Sequence, residues 1–209
     1  TIVGCSLTPE LAAGGLFIVH PSHRCKGVGR KLFDARLQYL AGRNLGINSV
    51  ANRIEANKAN GFEHQSFEMV NYSGQLQYRY ENITPVICDG VEFVNYTEDM
   101  LEELAIYDAT IHQVERKVFL KQFLKPDVAT TLVAKRNGSI IGYGSIQPVD
   151  KDIQHVGPVF AEKAEVGKGL FNRLFIMAPN GQELILDIPS ENLLVQEMLK
   201  MYNFHENRM

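Results

Sequence analysis

Hydrophobic and polar positions along this chain fall into alternating short runs that predict strands and helices in turn. In the C-terminal part, Val91-Glu-Phe-Val-Asn-Tyr96 alternates as a half-buried strand does. Thr97, followed by Glu98 and Asp99, reads as a helix start, and Met100, Leu104, Tyr107 and Ile111 then share one helical face. A second short helix is expected from Glu115 to Leu124, ending before Pro126. Thr130 to Arg136 and Ser139 to Gln147 read as strands joined by Asn137-Gly138, a two-residue hairpin signal. Then follow a strand at Gln154 to Phe160, a helix at Ala164 to Met177, a buried strand at Leu184 to Ile188 and a helix at Glu191 to Met201. In the N-terminal part, Thr1 to Leu7 and Gly15 to Val19 predict strands. Val28, Leu32, Ala35 and Tyr39 stripe a helix that ends near Gly42. Ile47 to Val50 predicts a short strand, and Asn52 to Asn60 a short helix stopped by Gly61, a residue suited to a left-handed cap. Phe62 to Tyr72 supplies one or two final strands. The order is that of a mixed α+β layer fold, with mixed central sheets flanked by helices.

The pattern occurs twice. Thr1-Ile-Val-Gly-Cys-Ser-Leu-Thr-Pro9 reads like Ser139-Ile-Ile-Gly-Tyr-Gly-Ser-Ile-Gln-Pro148. Gly27-Val-Gly-Arg-Lys-Leu-Phe33 reads like Val166-Gly-Lys-Gly-Leu-Phe171, and Asn60-Gly-Phe-Glu-His64 like Tyr202-Asn-Phe-His205. Three matches in the same order predict two copies of one domain, at 1–74 and 91–209, with a linker at 75–90. The second copy carries Val91 to Asn137 ahead of its matching part. The first copy is therefore expected to lack its opening strand and helices, either because the chain is a fragment or because they were lost.

Composition narrows the function classes. The chain has 209 residues, 45% of them hydrophobic and 22% charged, enough for one ordinary core or two small ones. No apolar run approaches the roughly 20 residues of a membrane span, and no signal peptide is expected. Cys5, Cys25 and Cys88 are dispersed and odd in number, which fits a reducing, cytoplasmic setting. N-x-S/T triplets, among them those at Asn71, Asn95 and Asn137, are then expected to arise by chance. No ligand spacing for a metal is present, so no metal is expected. The net charge is −3, which gives no reason to expect a nucleic acid as partner.

Against that background one basic loop stands out. Leu16-Phe17-Ile18-Val19 leads through His20-Pro21 into Arg24-Cys25-Lys26-Gly27-Val28-Gly29, and a helical pattern follows with Arg30 and Lys31 in its first turn. Loop glycines let main-chain N–H groups converge, and a helix start adds partial positive charge there. The pattern suits one small anionic ligand more than a polyanion.

These residues resemble the GNAT family of acyl-CoA-dependent N-acetyltransferases. The resemblance rests on Phe17-Ile-Val-His-Pro21, on Arg24-Cys-Lys-Gly-Val-Gly29, which follows the family's R/Q-x-x-G-x-G/A loop, and on Gly61-Phe62 at the close of the first copy. The paired arrangement also resembles tandem proteins with a degenerate second GNAT-like domain. The resemblance implies that acetyl-CoA or a related acyl-CoA is the cosubstrate. The amides of Lys26, Gly27, Val28, Gly29 and Arg30 would then hold its diphosphate, with Arg24 and Arg30 adding charge-assisted bonds. It implies that the pantetheine arm lies beside Phe17, Ile18 and Val19 as an added strand, with Asn52 as a further contact. The implied reaction is attack of a small-molecule or peptide primary amine on the thioester, and the implied alternative is a module that holds CoA without turnover. A homodimer is left open.

Two departures qualify the implied chemistry. The family often places a Tyr a few residues before the closing Gly-Phe as the acid for the leaving thiolate. Here Asn57 is nearest that place, and an amide is no acid. The second copy is acidic where the first is basic, with Glu162 and Glu165 near the equivalent turn, so it is not expected to bind CoA in the same way. Its expected role is to close the acceptor site or to hold the pair together. Of the remaining residues, His20 reads as a loop residue, with a base near the thioester as the alternative, His23 as a loop residue, Cys25 as a tolerant loop position, with a thiol activated by neighbouring cations as the alternative, and Phe119 and Phe123 as core. Glu10, in a loop, is a candidate relay for the amine proton, and Asp187 is either a paired buried carboxylate or a strand-end residue facing a cleft. The catalytic base and acid stay unassigned.

Overall fold

The computed structural model describes residues 1–75 and 86–207, so most of the expected linker at 75–90 lies outside the described residues. The chain divides into two units, Thr1–Gln65 and Ser66–Arg208. In the first unit, β1 (Val3–Ser6) pairs antiparallel with β2 (Leu11–Gly15), and β2 pairs parallel with β3 (Asn44–Ile47). The crossover between β2 and β3 is α1 (Val28–Tyr39), and α2 (Ile54–Lys58) follows β3. Both strands of the parallel pair begin earlier than their apolar runs suggest. The strand expected at Gly15 to Val19 ends at Gly15, and the one expected at Ile47 to Val50 ends at Ile47. The small residues Ala12, Ala13 and Gly14 form the paired segment because α1 lies close over it: a Cβ on Gly14 would stand 3.0 Å from Arg36 Nη1, and one on Gly4 2.9 Å from Leu40 Cδ1. The expected stripe on α1 is rotated for the same reason. Phe33, Arg36 and Leu40 are buried against the strands, while Tyr39 is exposed.

The second unit holds a seven-stranded sheet in the order β10-β4-β9-β8-β7-β6-β5. Its strands are β4 (Met69–Gln75), β5 (Glu92–Asn95), β6 (Thr130–Arg136), β7 (Ser139–Asp150), β8 (Ile153–Ala161), β9 (Glu183–Pro189) and β10 (His205–Asn207). Its helices are α3 (Leu101–His112), α4 (Lys117–Phe123), α5 (Ala164–Met177) and α6 (Leu193–Met201). Asn137 and Gly138 both take positive φ, 51° and 82°, and join β6 to β7 as a primed hairpin turn requires. The order β7-β8-α5-β9-α6, with an antiparallel pair followed by a parallel one, repeats β1-β2-α1-β3-α2.

One strand differs in place from the sequence reading. The final strand expected to close the first copy is β4, and it sits inside the second sheet, antiparallel to β9 on one side and to β10 on the other. The contact boundary accordingly falls after Gln65 and not after residue 74. The apolar face of β4 explains its position: Tyr72 is buried in the core that Leu170, Leu174, Phe175, Leu184 and Leu186 build between the sheet and α5 and α6. A second core, around Leu104, Leu120, Val133 and Tyr143, fills the other face under α3 and α4, and Phe119 and Phe123 stack at 5.7 Å beside it.

Gly169 in α5 illustrates how tightly the first of these cores is closed. A Cβ there would stand 2.6 Å from Phe93 Cζ and 3.2 Å from Cys88 Sγ, and the Phe93 ring lies under Arg173 at 3.8 Å. Alanine favours helix by about 1 kcal/mol over glycine, whereas overpacking costs about 1–3 kcal/mol. Gly169→Ala is therefore expected to lower the chemical-denaturation midpoint in spite of its better propensity, and a raised midpoint would show that packing does not explain this glycine.

Candidate functional site

The first unit's site begins where β2 and β3 part. Their parallel register runs from Leu11 beside Asn44 to Gly14 beside Ile47, and beyond Gly15 the chain turns away through Leu16, whose φ is 45°. Ligands in sheets of this kind sit outside the carboxyl ends of the strands. Leu16, Phe17 and Ile18 are exposed. Ile18 exchanges two hydrogen bonds of 2.8 Å with Thr1, as donor from its N–H and as acceptor at its carbonyl. The Val19 carbonyl accepts from Arg24 Nε at 3.0 Å. Among the described residues, the N–H groups of Phe17 and Val19 have no hydrogen-bond acceptor.

The connection to α1 is built by its own polar groups. Pro21–His23 forms one 3-10 turn, capped by His20, whose Nδ1 accepts from the Ser22 N–H at 3.3 Å. His20 thus caps this turn. Cys25 and Gly27 take left-handed φ values of 58° and 76°. Gly27 is the N-cap of α1 and offers no side chain to it. Lys31 N–H bonds back to the Gly27 carbonyl at 3.1 Å, whereas the amides of Val28, Gly29 and Arg30 have no acceptor among the described residues. Helix starts leave such donors free, and their alignment favours an anion. A Cβ on Gly27 would meet nothing within 4 Å, so the requirement for glycine is its backbone conformation and not room. A Cβ on Gly29 would stand 3.6 Å from both Phe17 Cζ and Val19 Cγ2, an ordinary contact.

Four cations surround this helix start. Arg24, Lys26, Arg30 and Lys31 are all exposed. Arg30 Nε pairs with Asp34 Oδ1 one turn on at 2.9 Å, a surface pair that leaves the rest of its guanidinium open. Asn52 lies exposed in a 3-10 turn, Ala51–Arg53, after β3. Asn57 is held in place: its Nδ2 donates to Ser49 Oγ at 2.7 Å, and its carbonyl accepts from Phe62 N–H at 3.1 Å.

Sequence reasoning missed Arg36. Only 6% of this residue is exposed, its Nε is buried without a partner, and burial lowers its pKa from the ordinary arginine value. The available signal was its spacing from Phe33 and Leu40, which places all three on one helical face.

The second unit lacks the same loop. β8 and β9 are paired only from Ile153–His155 to Glu183–Ile185 and then diverge, but only Glu162 and Lys163 separate β8 from α5. Glu165 stands in the first turn of α5, 3.7 Å from Arg136, and both Gly167 and Gly169 lie within the helix. Several of its polar groups pair with one another. Asp187 Oδ1 accepts from Asn71 Nδ2 at 2.8 Å, and Oδ2 lies 3.4 Å from His155 Nε2. The His155 contact is the first cause of the lowered Asp187 pKa, opposed by burial and reinforced by Asn71. Asp187 is thus a paired carboxylate. On the other face, Asp108 is fully buried, takes two bonds from Arg116 at 2.7 and 2.8 Å, and accepts from the Tyr143 hydroxyl at 2.5 Å. Burial, then the bond to Asp108, raises the Tyr143 pKa far above the phenolic range, and burial pushes Tyr107 up to about 12. Among the described residues, no group of three or more His, Cys, Asp or Glu side chains is placed to hold a metal, and no helix is long and apolar enough to cross a membrane.

Comparison with known proteins agrees with this architecture. Residues 104–209 match the family described as "Acetyltransferase (GNAT) domain". The holothin acyltransferase of Pseudoalteromonas sp. (strain SANK 73390) is 26% identical over 199 residues, which cover 95% of this chain and 65% of that protein. An acetyltransferase-like protein from Pyrococcus horikoshii superposes with a TM-score of 0.69 at 19% identity, over 95% of this chain and 63% of its own. A tandem GNAT protein from the clavulanic acid biosynthesis pathway superposes with a TM-score of 0.63 at 16% identity, over 94% of this chain and 72% of its own. The chain thus spans just under two thirds of the length of the acyltransferase and of the Pyrococcus protein. A family match over half of the chain, carried by the sheet, crossover helix and parted strands described above, makes this chain a member of the GNAT acetyltransferase family.

Proposed function

We propose that the protein transfers an acyl group from acyl-CoA to an amine, and that the first unit holds the donor. The observation that carries this reading is the start of α1, where three acceptor-free amides follow left-handed Gly27 amid four exposed cations. The diphosphate of CoA is the ligand group that matches it, because its oxygens accept from several convergent N–H donors at once. Arg24, Lys26 and Arg30 add charge, and Phe17 and Val19 offer free N–H groups to the amide-rich pantetheine arm. Ile18 holds the same segment to Thr1, and Asn52 lies after the neighbouring strand as a further contact. Acetyl-CoA as donor, a primary amine on a small molecule or peptide as acceptor, a tandem organisation and a cytoplasmic setting belong to the same reading.

The chemistry is balanced by the substrates. A neutral amine nitrogen attacks the thioester carbon, a C–N bond forms and the C–S bond breaks. The nitrogen loses one proton, and the leaving thiolate takes one up. Main-chain N–H groups at the strand end, of which Phe17 and Val19 are free, would stabilise the developing oxyanion, and the bound geometry supplies proximity.

A second reading, a module that binds CoA without turnover, is favoured by one observation. Asn57, nearest the position of the missing acid, is an amide tied to Ser49 and Phe62. Thiol release from acetyl-CoA, followed across a panel of amines, separates the two. Amine-dependent release is expected. CoA binding with no release from any amine would favour the second reading.

A further inference from the structure

Arg36 is the least explained charge in the first unit. It lies on the sheet-facing side of α1, with Phe33 against its guanidinium at 5.3 Å. Its guanidinium reaches the last residue pair of the parallel register: the position of a Cβ on Gly14 is 3.0 Å from Nη1, 3.4 Å from Cζ and 3.2 Å from Ile47 Cγ2. Helical side chains lean toward the helix N-terminus, which aims this one at the carboxyl ends of β2 and β3. The residue is 94% buried, yet among the described residues its side chain has neither an acidic partner nor a hydrogen bond, and Nε is fully buried. A guanidinium carries five donors in a planar fork, and burying even one of them, here Nε, without an acceptor opposes folding. Packing alone would be served better by leucine or methionine at this position, between Phe33 and Leu40. The unpaired fork therefore calls for an acceptor that arrives with a ligand.

We infer that Arg36 is a binding residue for the acyl donor, its guanidinium donating at the floor of the β2–β3 crevice to carbonyl or carboxylate oxygens of the chain that enters there. This rests on the reading of the first unit as an acyl-CoA site and adds a contact away from the diphosphate loop. The acceptor oxygens belong either to the pantetheine amides or to a carboxylate at the end of the acyl group.

The test uses the full chain and its Arg36→Met variant, with Arg36→Gln as a second substitution. The probes are adenosine 3′,5′-bisphosphate, CoA, acetyl-CoA and succinyl-CoA. A functional guanidinium kept at the expense of stability predicts that Arg36→Met melts at a higher temperature than the wild type. It also predicts an affinity loss of about tenfold to a hundredfold for the ligands that reach the crevice, with the nucleotide fragment unchanged. Equal losses for CoA and acetyl-CoA would assign the contact to the pantetheine amides, and a loss confined to succinyl-CoA would assign it to an acyl carboxylate. Undiminished affinity for all four ligands would overturn the inference and leave the donor site standing. A lower melting temperature with parallel loss of every ligand would make Arg36 structural and overturn it as well. Wild-type protein that binds none of the four would overturn the donor site and this inference together.

Discussion

Replacing Asp108 with alanine is expected to cost about 3–5 kcal/mol, because it breaks a buried ion pair from one side. Asp108 is fully buried in α3 and satisfies two groups at once: the Arg116 guanidinium by two bonds of 2.7 and 2.8 Å, and the Tyr143 hydroxyl at 2.5 Å. His112 completes the cluster, with Nε2 2.7 Å from Arg116 Nη2. Removing the carboxylate leaves a guanidinium that is mostly buried and a hydroxyl in the core with no acceptor of comparable strength. Burial raises the Asp108 pKa, but the bonds from Arg116 and Tyr143 outweigh it and leave the value below the ordinary carboxylate range. A depressed carboxylate pKa contributes stability that is present above the unfolded value and lost as pH falls through the folded one. The stability gap between wild type and Asp108→Ala should therefore be full at neutral pH and narrow in acid, below the ordinary aspartate range. Urea denaturation at several pH values measures it. A gap below about 1 kcal/mol at neutral pH would mean that the cluster is not the anchor of α3 and α4 that its geometry indicates.

The largest expected effect on binding comes from reversing charge at the start of α1. Lys26→Glu together with Arg30→Glu should weaken CoA binding by about a hundredfold or more, since each charge-assisted bond contributes about 1.5–3 kcal/mol and each glutamate adds repulsion. Both side chains are exposed, and Arg30 meets only its surface partner Asp34 and, at 5.9 Å, the Phe33 ring, so the fold should be nearly unaffected. Arg24 is left out of this variant because its Nε also ties the loop to Val19. The wild-type affinity should fall with added salt, and that of the variant should respond less. The equivalent change in the second unit, Lys163→Glu, should leave CoA affinity unaltered. Calorimetric titration with CoA reads both, and an unchanged dissociation constant in the double variant would remove the cations from the site.

The second unit was legible nearly element by element, because its main strands are sustained apolar runs bounded by strong signals such as Asn137-Gly138. In the first unit the apolar run at Leu16 to Val19 was read as the strand, but that run is exposed past the strand end. The pairing falls instead on Leu11 to Gly15, where small side chains let α1 approach. Local hydrophobicity does not encode that distance. β4 was foreseen as a strand and misassigned to a sheet, since alternation reports a buried face and not its neighbour. The loop before α1 was legible as a basic helix start because a left-handed N-cap favours glycine and its cations are read directly from the sequence. Arg36 was not, since its meaning lies in an absent partner, which only packing reveals.

The most direct test of the central claim is a crystal structure of the full chain with CoA bound. The diphosphate is expected at the start of α1, within hydrogen-bond distance of the Val28, Gly29 and Arg30 amides. CoA bound elsewhere, with those amides facing only solvent, would contradict the claim.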